Sequence, residues 1–160
     1  MATNADKQRT LGIMEAAPVR FFVPGKPVPG GSKRAFKHPH TGQIILTDMG
    51  GKPLVEWRQQ VVVSCREVFK EPALMGPLYL TVVFTMPRPK GHYGSGRNEG
   101  KLKLNAPHYH VVAPDRTKLL RALEDALTHI LWKDDSQVVD GPTSKIYGEH
   151  TGALVEVTPL

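Results

Sequence analysis

Apolar residues recur along this chain with two periods, and each period marks an element. Leu78 to Met86 alternates apolar and polar positions and is rich in Leu, Tyr, Val and Phe, which predicts a strand at the centre of a sheet. Val19-Arg20-Phe21-Phe22-Val23, closed by Pro24-Gly25, predicts a first strand, and Gln43 to Thr47 a second, short one. Leu54, Trp57, Val61, Val62, Cys65 and Phe69 recur at helical spacing, so a helix opened by Pro53 runs to about Lys70 with this face inward. Trp57 on that face packs rather than stacking on a base. A second helix, from Arg116 to about Trp132, turns Leu119, Leu120, Leu123, Leu127, Ile130 and Leu131 to the core. Strands around Gln137–Val139, Lys145–Tyr147 and Ala153–Val157 complete the pattern. The fold class is α+β: a single domain in which a mixed β-sheet packs against two main helices.

Between these elements the periodicity lapses. Met1 to Ala17 carries charges of both signs and no apolar block, which excludes an export signal and a membrane span and predicts a disordered N-terminal arm over residues 1–17, ahead of one domain over 18–160. Gly25 to Arg34 mixes glycine and proline with Lys26, Lys33 and Arg34, a loop whose backbone comes close to a ligand and whose cations meet phosphates. Pro87 to Pro107 is longer than a compact domain tolerates without function or disorder, and it holds Arg88, Lys90, Arg97, Lys101 and Lys103.

Composition adds a direction. Lys and Arg number 21 against 15 acids, a formal charge of +6, which favours a polyanionic partner over a membrane. The single cysteine, Cys65, excludes a disulfide framework and a multi-thiolate zinc site and accords with a reducing cytoplasm; inside an apolar run it reads as an inert buried thiol.

Against this basic background stand Asp115, at the head of the second helix, and the doublet Asp134-Asp135 just beyond its end. Such acids repel nucleic acid unless a cation stands between, so their meeting in space points to a metal-dependent enzyme acting on a polyanion. Each has a plainer reading: an aspartate after proline is a good N-cap, and a charged doublet between a helix and a strand is usually a solvated turn. Trp132 before the doublet and Gln137-Val138-Val139 after it shift the balance toward chemistry. His108 and His110 share one side of an extended segment and offer a nitrogen to a metal or a proton to a leaving group. Glu124 reads as a helix-surface charge and Asp125 as a supporting residue.

The stretch "PDRTKLLRALEDALTHILWKDDSQVVD" resembles the core signature of the RusA family of Holliday junction resolvases: Pro-Asp-x-Asp-Asn-Leu-x-Lys, then Asp-Ala-Leu, then Asp-Asp-x-Gln-Val. "VPGKPVPGGSKR", Val23 to Arg34, is similar to the family's first strand and basic loop. The resemblance implies that Asp115, Asp134 and Asp135 are catalytic and bind Mg²⁺, with Mn²⁺ an alternative. Arg121 stands where the family has its functional lysine; as a guanidinium it acts electrostatically and not as a base. Two departures stand out: Thr117 replaces the second aspartate, removing a metal ligand, and Lys118 replaces an asparagine, bringing another cation toward the phosphate. The implied activity is a homodimeric endonuclease that makes paired nicks in four-way DNA junctions during recombination and repair, with no small-molecule cofactor and no membrane partner. Lys26, Lys33, Arg34, Arg88, Lys90 and Lys101 would follow the DNA backbone. A DNA substrate implies a cytoplasmic setting, and such nucleases are often carried by phages or prophages. Thr117 leaves open a junction-binding protein without cleavage, and the branch geometry of the substrate leaves open a nuclease acting on forks or flaps.

Overall fold

The longest strand of the computed structural model alternates as its sequence does, with Leu78, Leu80, Val82, Phe84 and Met86 turned inward and nearly devoid of solvent contact. The structure describes residues 17–31, 33–48 and 50–160; residues 1–16, nearly all of the expected N-terminal arm, lie outside them. In chain order the described elements are β1 (Val19–Pro24), β2 (Lys33–Lys37), β3 (Ile44–Asp48), α1 (Gly51–Val68), β4 (Leu78–Pro87), α2 (Arg116–Leu127), β5 (Val138–Asp140), β6 (Thr143–Gly148) and β7 (Gly152–Pro159).

As expected, β4 is central to a mixed sheet. It pairs antiparallel with β7, which pairs in turn with β1, and on its other side it runs parallel first to β5 and then to β6. A parallel return needs a crossover, which α2 supplies. Both helices pack against each other and cover one face of the sheet. Trp57 and Cys65 of α1 and Leu119, Leu123 and Leu127 of α2 meet the inward residues of β4 there, and each such side chain contributes about 1.5–3 kcal/mol through burial.

The structure corrects the sequence reading in three places. The second helix stops at Leu127 instead of running to Trp132: Thr128 is extended, its hydroxyl donates to the Glu124 carbonyl at 2.9 Å, and His129 takes a positive φ of 66°. A tight turn then returns Leu131 and Trp132 to the core, with Trp132 Nε1 donating to Thr128 Oγ1, so the apolar spacing that predicted more helix is satisfied by a turn. The supposed loop ending at Arg34 contains the start of a strand, β2, which pairs with β3 as a separate two-stranded hairpin. The long basic segment is folded on itself through two short 3₁₀ turns, Lys90–His92 and Gly96–Asn98, closed by bonds such as Gly94 N–H to Lys101 O and Lys103 N–H to His92 O.

Candidate active site

Asp115 sits at the N-cap position of α2, and its surroundings pin it there. Lys145 of β6 donates through Nζ to the carbonyls of Val112 and Pro114, both at 2.6 Å, and Arg116 donates to the Thr143 carbonyl at 2.8 Å. The segment before it is extended along β6, with His110 N–H donating to Lys145 O and Tyr147 N–H to His108 O. Capping would have accounted for this aspartate, but its carboxylate makes no cap hydrogen bond. It stands 3.4 Å from Lys118 Nζ with its side chain 64% exposed, and so loose an ion pair leaves the oxygens available to a ligand.

The doublet divides its labour. Asp134 caps the 3₁₀ turn Asp135–Gln137: its carboxylate accepts from Ser136 N–H at 2.9 Å, and the Ser136 side chain first, then this backbone bond, hold it below the usual carboxylate range. Gln137 answers by accepting from the N–H groups of Lys133 and Asp134 while its amide donates to Leu74 O and Gly76 O, both at 3.0 Å. The glutamine thus ties the turn to the loop before β4 and presents Asp135, exposed, at the head of the turn. Asp134, expected as a metal ligand beside Asp135, thus also caps the turn.

Glu124, expected as a helix-surface charge, is drawn partly inward. It is half-buried, and burial first, then the charges of Asp135 and Asp125, push its carboxyl above the usual range. Asp125 is engaged elsewhere, accepting from Arg58 of α1 at 2.8 Å. Glu124 lies on the helix stripe of Thr117 and Leu120 and opens into a shallow groove of about 230 Å³ between α2 and β5, lined also by Asp140, Gly141 and Thr143. Two turns along the stripe from Thr117, it places a carboxylate on the face that Thr117 leaves without one.

The charge of Asp135 reaches Glu124, whereas Asp115 lies at the far end of α2, about 13 Å from Glu124 along the helix axis at 1.5 Å per residue. Among the described residues no three His, Cys, Asp or Glu side chains form a closed metal cage. The exposed carboxylate of Asp135 and the half-buried one of Glu124 are oxygen donors of the kind a hard cation such as Mg²⁺ takes, one or two at a time, while it keeps its remaining waters.

The β1–β2 loop packs its glycines against α2, beside Lys118 and Arg121. Gly30 donates its N–H to the Lys118 carbonyl at 2.9 Å and packs against Ala122. Gly31, at φ +79°, lies beneath the aliphatic part of Arg121. Lys33 and Arg34 follow at once on β2, and Lys26 is close enough to act on the charge of His110. Arg88 is occupied, its guanidinium 5.6 Å from the Tyr147 ring and bonded to Pro107 O, while Lys90 and Lys101 belong to the outlying 3₁₀ segment. His108 is exposed; His110 is buried 4.6 Å from Tyr147, and burial followed by Lys145 lowers its pKa.

A family model described as "Endodeoxyribonuclease RusA" matches residues 24–158, from the end of β1 to the end of β7. The chain belongs to the RusA endodeoxyribonuclease family. The match takes in both halves of the site, α2 with Asp115 and the turn with Asp135, together with the sheet that holds them. A protein of Bacillus subtilis (strain 168), described as "Uncharacterized protein YqaN", is 30% identical over 133 residues, which cover 82% of this chain and 89% of that protein. Among the described residues no helix is long and apolar enough to cross a membrane.

Proposed function

We propose that this RusA-family chain is a divalent-metal-dependent endonuclease that resolves four-way DNA junctions by paired nicks, acting as a homodimer in the cytoplasm. The observation that carries the reading is the family match over residues 24–158, which takes in α2 with Asp115 and the turn that presents the exposed Asp135. Asp135, with Glu124 toward it and Asp115 at the head of α2, would supply the carboxylates for Mg²⁺ or Mn²⁺, with Asp134 keeping the turn in place. When bound, the cation supplies Lewis acidity toward the phosphate and lowers the pKa of a coordinated water.

The remaining chemistry falls to the chain's own residues. Arg121 and Lys118, one turn apart on α2, hold the scissile phosphate and stabilise the charge that develops on it. Arg121 keeps its proton throughout and cannot act as a base. Lys26, Lys33 and Arg34 bind the neighbouring phosphates, giving an affinity that falls with salt and is largely indifferent to sequence, and Lys90 and Lys101 extend the basic track. Two active sites related by the symmetry of a dimer account for nicks in pairs.

Cleavage of a synthetic four-way junction in Mg²⁺, Mn²⁺ or EDTA, with the unmodified protein and Asp135→Asn, tests the reading. Metal-dependent paired nicks lost in the variant support it. A hydroxyl at Thr117 in place of the family carboxylate favours a second reading, a junction-binding protein without cleavage. Tight binding with no nicks in any metal selects that one.

A further inference from the structure

The β2–β3 hairpin adds nothing to the core. Its two strands pack chiefly on each other, all five residues of β2 are exposed, and yet it carries Phe36, Ile44 and Leu46 at 44%, 75% and 64% exposure. A two-stranded hairpin is marginal in water, so apolar side chains on both of its faces call for a partner.

Its placement and charge identify the partner. The hairpin leaves the body directly after Gly30 and Gly31, the residues bonded to Lys118 and covered by Arg121, so its base is fixed beside the cations assigned to the scissile phosphate. Lys33, Arg34 and Lys37 stand against Asp48 alone, a charge that complements a phosphate backbone. The register Lys37↔Ile44 and Ala35↔Leu46 puts Ile44 and Leu46 on one face with Lys33 and Lys37, and Phe36↔Ile45 puts Phe36 on the other with Arg34.

We propose that this hairpin is an arm that recognises the branch point of DNA: its lysines and arginine hold phosphates flanking the branch while Phe36, Ile44 and Leu46 lie against base faces exposed where stacking is interrupted. The inference rests on the endonuclease reading and adds to it a source of substrate choice. Phosphate contacts alone do not tell a junction from a linear duplex, whereas apolar side chains do, because inserting them into intact duplex costs unstacking that a branch has already incurred.

The test uses the full-length protein in EDTA, which prevents cutting, with a four-way junction carrying 2-aminopurine at the branch and with a linear duplex of the same sequence. The intact protein should bind the junction more tightly and raise the 2-aminopurine fluorescence. No rise overturns the proposal without recourse to any variant. Phe36→Ser and Leu46→Ser should each reduce junction affinity by about tenfold and abolish the fluorescence change, with duplex binding kept. Unchanged junction preference in both overturns the proposal. So does a shift from dimer to monomer in sedimentation that accounts for the lost affinity, since the hairpin would then be an interface between copies. If the intact protein binds neither DNA, the endonuclease reading itself has failed.

Discussion

Arg121 lies across the backbone of Gly31, so closely that a Cβ at Gly31 would stand 2.9 Å from Arg121 Cδ. Gly31 also holds a φ of +79°, which disfavours any L side chain. Gly31→Ala should therefore displace the guanidinium and strain the loop together, costing about 1–2 kcal/mol of stability and lowering kcat by about tenfold or more. Chemical denaturation and single-turnover cleavage, compared in parallel, check both numbers; unaltered cleavage would mean that Arg121 does not act from this position.

Glu124→Gln should raise the melting temperature near neutral pH. The folded state raises the Glu124 carboxyl through burial and the charges of Asp135 and Asp125, so ionised Glu124 is destabilising. That penalty is present above the raised pKa and is relieved as pH falls through it, so the advantage of the amide should fade on acidification. Melting curves of the two proteins between neutral and acidic pH give the sign directly. The same substitution should lower cleavage, because a carboxylate beside Asp135 is lost.

Mg²⁺ should raise the melting temperature of the unmodified protein, by mass action on the folded state alone. The rise should shrink in Glu124→Gln and in Asp135→Asn and survive in Asp134→Ser, which keeps a side-chain oxygen capable of capping. A titration followed by calorimetry reads metal binding independently of catalysis.

Gln137→Ala removes two acceptor and two donor bonds that hold the turn bearing Asp135, at a cost of about 1–3 kcal/mol. Its effect on cleavage should exceed its effect on stability, because Asp135 loses its position; Gln137→Glu, which keeps the acceptor and loses the donors, should fall between. Urea unfolding alongside cleavage rates separates the two effects.

Cys65 should be inert toward a thiol reagent in the native protein and react only on unfolding. Burial pushes its thiol up to about 11, with Arg66 offsetting this in part, so thiolate is scarce at neutral pH. Rapid labelling under native conditions would contradict the buried position of α1 against the sheet.

Periodicity alone determined the architecture. The alternation in β4 and the helical spacing of Leu54, Trp57, Val61 and Cys65 record which side of each element faces the core, and burial is the strongest local constraint on residue type. Asp115 and the doublet stood out as acids against a basic chain, whereas Arg121 was marked only by the family resemblance. Tertiary structure decided what the charges do. Arg58 of α1 takes up Asp125, Lys145 of β6 fixes the carbonyls before Asp115, and Gln137 ties the turn of the doublet to Leu74 and Gly76, contacts between segments far apart in the chain. The end of α2 was hidden because a turn and a helix bury Leu131 and Trp132 equally well. β3 was legible at Gln43 to Thr47, but its partner β2 was hidden because a strand that buries neither face leaves no period to read.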